Sequence, residues 1–276
     1  MTTASPSLDQ WVLITGASRG IGEVFAKRLA RDRWNVILVA RAEDKLKALA
    51  KRLESEYEVK TETIAIDLRD RNSPKAIYGE VKQRGIVLDG LINNAGFGFG
   101  GRFWEVPREE YLAMIQVMVS ALVELTHLFL PDMIRRNLGF IINVSSTACF
   151  QPLPYSSIYA ASKSFVASFT EALWLETKDT GVRVLNLCPG VTKTDFGIRA
   201  GLRDFHKEPF AQTPEAVVET AMKALRRNRP TAISGLRNRL LVFLERLVPH
   251  WFLLWGVLLF QNTRRKGLIG DRPQSR

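Results

Sequence analysis

The 276-residue chain predicts an α/β fold. It should be a doubly wound parallel sheet with helices on both faces, followed by an apolar and basic helical extension. Two observations predict the sheet. Short runs rich in Val and Ile alternate with helix-length segments, the pattern of strands covered on both sides. A glycine-rich turn, Thr15-Gly-Ala-Ser-Arg-Gly-Ile-Gly22, stands between the first apolar run and the first helical segment. A third observation, a change of composition after Arg226, sets the extension apart.

The elements follow in order. Trp11–Thr15 reads as a strand and Ile21–Arg31 as a helix. Asn35–Ala40 is a strand and Glu43–Glu56 a charged amphipathic helix. Thr63–Asp67 is a strand and Pro74–Arg84 a helix. Val87–Asn93 is a strand leading into the loop Gly96–Gly101. Glu109–Arg136 reads as one long helix. Phe140–Ser145 is a strand, Ser157–Lys178 a helix, Val182–Cys188 a strand and Pro214–Arg226 a helix. With its connections this pattern suits a sheet of about seven strands. The expected organisation is an N-terminal tail over 1–10, a body over 11–228 with a substrate loop near 191–212, and an extension over 229–276.

Composition excludes several functions. Cys149 and Cys188 make no disulfide framework and no Cys-x-x-Cys pair, and read as small packing residues. His127, His206 and His250 lack metal-ligand spacing, so no metal site is expected. Net charge is +11, but residues 226–276 carry eleven Lys/Arg against Glu245 and Asp271, leaving the body near neutral. That distribution argues against nucleic-acid binding by the body. Met1–Gln10 shows no signal-peptide pattern, which points to the cytoplasm.

The glycine turn carries the first chemical signal. Gly16, Gly20 and Gly22 permit a tight turn and close approach to a pyrophosphate, with the helix N-terminus behind it. The second strand ends in Arg41, where an acid would select NAD. Arg41 and Arg19 instead suit a 2′-phosphate, so NADP(H) is the expected cofactor. The second signal is Tyr159 and Lys163, four apart and therefore on one helical face. A lysine cation beside a phenol should lower its pKa and prepare it for proton transfer. These residues, with Asp67, 93–96, Ser146 and 189–194, fall beyond the carboxyl ends of strands, where such sheets build their sites.

Taken together, these motifs resemble those of the short-chain dehydrogenase/reductase family. They are Thr-Gly-x-x-x-Gly-Ile-Gly at 15–22, Asn-Asn-Ala-Gly at 93–96, Ser146, Tyr-x-x-x-Lys at 159–163 and Pro-Gly at 189–190, in the family's order and spacing. The resemblance runs from about Trp11 to Leu225. Within the family the chain is most similar to bacterial reductases of the D-alanine-transfer-operon type. Its stretch 57–97 is similar to 3-ketoacyl-CoA and 17β-hydroxysteroid reductases.

The resemblance implies a Rossmann-like fold and an NADP-dependent enzyme interconverting a carbonyl and an alcohol. Tyr159 would be the general acid or base, Lys163 its partner on the nicotinamide ribose, and Ser146 the hydrogen-bond donor to the substrate oxygen. Ser146 is preferred over Ser145 by its thirteen-residue spacing to the tyrosine. Gly16, Ser18, Arg19, Gly20, Ile21, Gly22, Arg41, Asp67, Asn94, Ala95, Gly96, Pro189, Gly190, Val191 and Thr192 would surround the cofactor. A homodimer or homotetramer through the helices at 109–136 and 157–178 is also implied.

One position departs from the family. Where its members carry an asparagine that supports a water relay to the lysine, alignment through Leu125-Thr-His127 places Met118. A thioether cannot replace an amide's donor and acceptor. Slowed proton transfer is one expectation; a catalytically impaired NADP-binding regulator or scaffold at a membrane surface is the other.

Substrate contacts are expected from Phe97, Phe99, Phe103, Phe150, Tyr155, Phe196, Phe205 and Phe210, favouring a small hydrophobic carbonyl or alcohol. The alternative is that half of these rings pack under loops. In the extension, 240–260 is apolar but broken by Glu245, Arg246, Pro249 and His250, too short an uninterrupted run to span a membrane. Basic flanks and Trp251/Trp255 suit an anionic membrane surface contacted through 237–266, with the protein peripheral at its inner face. A lid or subunit contact is the competing reading.

Overall fold

The structure, a computed structural model, describes residues 10–202, 204–249, 251–252 and 254–257. Seven parallel strands form one sheet in the order β3-β2-β1-β4-β5-β6-β7. They are β1 (Trp11–Thr15), β2 (Asn35–Ala40), β3 (Thr61–Ala65), β4 (Leu88–Asn93), β5 (Gly139–Val144), β6 (Val182–Cys188) and β7 (Thr231–Ile233). The strand order reverses between β1 and β4, which opens a crevice above their carboxyl ends.

Period-two alternation sends each strand's apolar side chains to both faces. On one face Val12, Ile14, Ile142 and Leu185 pack with Phe25 and Leu29 of α1 (Gly20–Arg31), Leu46 and Leu53 of α2 (Glu43–Tyr57) and Val217 of α8 (Pro214–Arg226). On the other, Leu13, Leu91, Ile141 and Val184 pack with Ile77 of α3 (Ser73–Gln83), Phe129 of α5 (Ala121–Arg136) and Leu173 of α6 (Ser157–Glu176). Each such buried side chain contributes about 1.5–3 kcal/mol of transfer free energy. The doubly wound Rossmann-like fold expected from the sequence is the fold observed.

Local differences have local causes. β3 begins and ends two residues earlier than the periodicity indicated. Asp67 lies beyond it, where its carboxylate accepts from the Arg69 N–H at 3.0 Å and starts a turn. The long helix is interrupted: α4 (Arg108–Ile115) and α5 are joined by one π-turn, Gln116–Ser120, holding Met118. A single wide turn leaves the hydrophobic pattern almost unchanged, so periodicity does not reveal it. The run Arg108–Arg136 is long and apolar enough to cross a membrane, but α5 packs on the sheet as a covering helix. β7 is three residues long and pairs with β6, too short for a periodic signal.

Beneath the site runs a row that sequence reading did not find. Asn93, Asn143 and Asn186 are register partners across β4, β5 and β6. Asn93 donates to Asn143 at 2.9 Å and to Thr126 at 3.1 Å, and Asn143 donates to Thr170 at 3.0 Å. All are buried, so these bonds tie α5 and α6 to the strand ends that carry the site.

Candidate active site

A cleft of about 1350 Å³ opens above the carboxyl ends of the strands. Its wall includes Gly16, Ser18, Arg19, Gly20, Ile21, Arg41, Asp67, Asn94, Ala95, Gly96, Ser146, Tyr159, Lys163 and 189–192, so the sequence-selected residues converge on one space. Gly22 is the exception. It is buried in α1, and a Cβ there would meet the Gly16 carbonyl oxygen at 2.4 Å and Asn94 Nδ2 at 2.5 Å. Its part is to let the helix close on the turn. Gly16 and Gly20 lie at φ +68° and +58°, a backbone that side chains with a Cβ rarely adopt. Asn94 fastens the loop from across the crevice, donating from Nδ2 to the Thr15 carbonyl at 2.9 Å.

At this end the charge is unbalanced. Arg41 pairs with Asp67 at 3.5 Å, and both side chains are about half exposed. Arg199, on the short helix α7 (Phe196–Arg199), has its pKa lowered by desolvation and by the neighbouring charges of Arg19 and Arg41. Three guanidiniums therefore share one wall of the cleft. Together with the glycine cradle, this cationic corner fits a dinucleotide bearing an additional phosphate. Arg199 was not among the sequence-selected residues; it sits about 160 residues from Arg41 in a loop without a motif.

The other end is buried. Ser145 and Ser146 follow β5, and both border the cleft. Ser145 is buried and donates to the Lys163 carbonyl at 2.7 Å. Ser146 lines the cleft, caps the following turn by accepting from the Ala148 N–H at 3.1 Å, and lies close enough to Tyr159 to hydrogen-bond it. Of the two serines, Ser146 is the one whose hydroxyl lies beside Tyr159. Tyr159 and Lys163 stand one turn apart on α6, and Lys163 Nζ donates to the Val144 carbonyl at 2.7 Å.

The electrostatics correct one expectation. Burial pushes the Tyr159 phenol up to about 12, against a smaller downward pull from Ser146. Burial also brings the Lys163 ammonium down to about 8, with the Cys188 and Cys149 thiols nearby acting the other way. Whatever pull the Lys163 charge exerts, it does not bring the phenol below its ordinary value. Lys163 Nζ lies 5.8 Å from the centre of the phenol ring, and desolvation outweighs attraction at that distance. The two cysteines are free, with their sulfurs in contact at 3.9 Å.

Met118 faces this buried end. It packs with Tyr111 and Met114 against Phe97, Ile158 and Tyr159. A Cβ built on Gly96 would meet Met118 Sδ at 3.4 Å and Lys163 Nζ at 3.7 Å, so the thioether and the ammonium flank the same glycine. Of the aromatic residues expected to meet substrate, Phe97, Phe99, Phe196 and Phe205 line the cleft. The others do not. Phe103 stacks on Tyr111, Phe150 lies beneath Arg246, Phe210 lies beneath Arg237, and the Tyr155 carbonyl holds the Gly101 N–H. Leu153 and Leu202 complete the apolar wall.

Comparison with known proteins gives a consistent picture. A family model for short chain dehydrogenases matches residues 10–202. Human very-long-chain 3-oxoacyl-CoA reductase is 31% identical over 267 residues, 94% of this chain and 82% of the human protein. Mouse inactive hydroxysteroid dehydrogenase-like protein 1 is 30% identical over 262 residues, 93% of this chain and 78% of the mouse protein. A short-chain dehydrogenase from Sphingobium yanoikuyae, solved in complex with NADPH, superposes with a TM-score of 0.77 at 31% identity, covering 97% of both chains.

Proposed function

The chain belongs to the short-chain dehydrogenase family, and we propose that this oxidoreductase reduces a hydrophobic ketone or aldehyde with NADPH, Tyr159 giving the proton. The observation that carries this reading is the facing of Ser146, Tyr159 and Lys163 across one cleft from the glycine loop and its arginines. When bound, NADPH supplies the hydride to the carbonyl carbon. Arg19 and Arg41 would hold its 2′-phosphate, and Arg199 would add a third positive charge from the substrate loop. Gly16 and Gly20 keep the loop backbone low enough for the pyrophosphate to approach. NADPH binding by the Sphingobium protein supports the same cofactor here.

Ser146 orients the carbonyl oxygen and donates to it as negative charge develops there. Tyr159, protonated throughout the neutral range because burial holds its pKa near 12, transfers its proton to that oxygen. Lys163, charged below about pH 8, stabilises the phenolate left behind. The raised pKa keeps the phenol protonated at neutral pH, so the form able to donate is the one present, which supports reduction as the working direction. The phenylalanine-lined wall and the likeness to 3-oxoacyl-CoA reductases favour apolar 3-oxoacyl thioesters and bulky ketones as substrates.

Met118 favours a second reading, a cofactor-binding protein with impaired turnover, since no amide supports Lys163 from that helix. A panel of 3-oxoacyl thioesters, steroid ketones and aryl ketones with NADPH, run on the parent and on Tyr159→Phe, separates the two. Turnover abolished by the variant is expected. Turnover that survives it sinks the mechanism, and no turnover of any substrate by an NADPH-binding parent favours the second reading.

A further inference from the structure

Helix α9 (Leu236–Leu247) is amphipathic the wrong way round for a soluble surface. Its packed side is Asn238, Val242 and Glu245, at helical spacing, and of its residues only Val242 is buried. Leu240, Phe243, Leu244 and Leu247 point away from the body, 47–64% exposed. Helical residues beyond it continue the pattern, with Trp251 at 57% and Trp255 at 60%. A surface helix ordinarily buries its apolar stripe and solvates its polar one. Here the apolar stripe is left for something outside this chain.

Charge identifies the occupant. Arg237, Arg239 and Arg246 accompany the apolar stripe against the single acid Glu245. Their contacts are with the Phe210 ring, the Ile233 carbonyl and the Phe150 ring, which leave the charges intact. A symmetric pairing of two copies would set this basic patch against itself. An anionic bilayer supplies both an apolar interior and opposite charge, and tryptophans are favoured at its interface. We propose that α9 and the Trp251–Trp255 segment dock the protein on an anionic lipid surface.

The location gives docking a use. Asn238 lies against Gly190 of the cleft wall, where a Cβ would come within 2.2 Å of its amide nitrogen. Arg237 stacks 3.7 Å over Phe210, which is 69% exposed in the loop that borders the cleft. Docking through α9 therefore sets this side of the cleft's rim against the lipid, from which an apolar substrate can enter.

The docking claim does not depend on turnover and is tested by binding. The full chain is sedimented with vesicles of phosphatidylcholine alone and with one-quarter phosphatidylglycerol. Binding to the anionic vesicles is expected, with little to the neutral ones. Arg237→Ala/Arg246→Ala should weaken it about thirty-fold, at roughly one tenfold step or less per basic residue. Leu240→Asp/Leu244→Asp should abolish it, and Trp251→Ala/Trp255→Ala, which alters two side chains more than half exposed, should weaken it while the melting temperature holds. Equal binding to both vesicle types, or none, overturns the proposal. So does a Leu240→Asp/Leu244→Asp variant that falls to a smaller oligomer in light scattering while still binding vesicles, since the stripe would then join copies of this chain.

Discussion

At the glycine-loop end of the cleft, Arg19, Arg41 and Arg199 stay within reach of water and repel one another, with Asp67 paired to Arg41 alone at 3.5 Å. At the other end, Tyr159 and Lys163 are withdrawn from water and each is pushed toward its neutral form. The same strand edge thus treats charge in two ways. Surplus exposed charge costs little to hold, and its mutual repulsion is relieved when an anion arrives, which suits binding. Buried ionisable groups cost more, and burial sets which form is present, a protonated phenol and an ammonium that titrates near 8, which suits chemistry. Binding specificity and reactivity are accordingly separable, and variants at the two ends should fail differently.

The largest expected effect breaks the buried end alone. Tyr159→Phe should lower kcat by about 10²–10⁴, the range for removing a general acid, while the NADPH dissociation constant stays within about two-fold. Intrinsic fluorescence quenching checks the binding arm; a matching loss of NADPH affinity would mean the ends are not separable. Next, Arg19→Ala/Arg41→Ala should lower kcat/KM for NADPH by about 100-fold, from charge-assisted bonds worth about 1.5–3 kcal/mol each that share one phosphate. Activity with NADH should be unchanged or better, and an equal loss with both cofactors would contradict the assignment of the arginines.

The pH dependence sharpens the comparison. Lys163 loses its charge above about pH 8, so reduction should fall about ten-fold per unit above that point in a kcat profile. Lys163→Met should be slow and lack that limb. Stability moves the other way. The folded lysine releases its proton near 8 and the unfolded one near 10.5, so between those values the unfolded chain holds more protons and stability rises with pH. Urea midpoints measured across that interval check the sign. The smallest effect is expected from Met118→Asn. An amide beside Lys163 should raise kcat by up to about ten-fold, one hydrogen bond to a charged group, and lower stability by about 1–3 kcal/mol by placing a polar group in an apolar cluster. An unchanged kcat at every pH would show that Lys163 needs no support from that helix.

Much of the cleft was legible because its residues sit in local motifs. Gly16, Gly20, Asn94, Ser146, Tyr159 and Lys163 each occupy a fixed place at a strand end or on a helix, and alternation of strands and helices brings strand ends to one edge. Gly22 was legible as a motif member but not in its role, which depends on how closely α1 approaches Asn94. Arg199 and the Asn93–Asn143–Asn186 row were not legible. Their meaning comes from residues that are remote in sequence and adjacent only across the sheet. The aromatic residues show the same limit. Composition marked eight of them, and packing put four in the cleft wall.

The sequence by itself determined the sheet, the strand-end cleft and the candidate residues that line it, because periodicity and short-range spacing act within single elements. Only the tertiary structure decided the electrostatics and the exposure. The Tyr159–Lys163 spacing predicts attraction between the two, yet burial is a property of everything packed around them, and it sets one phenol near 12 and one ammonium near 8. The extension follows the same rule. Its apolar and basic composition is written in the chain, but which face of α9 meets the body is decided by the fold, and it is the one carrying Asn238, Val242 and Glu245.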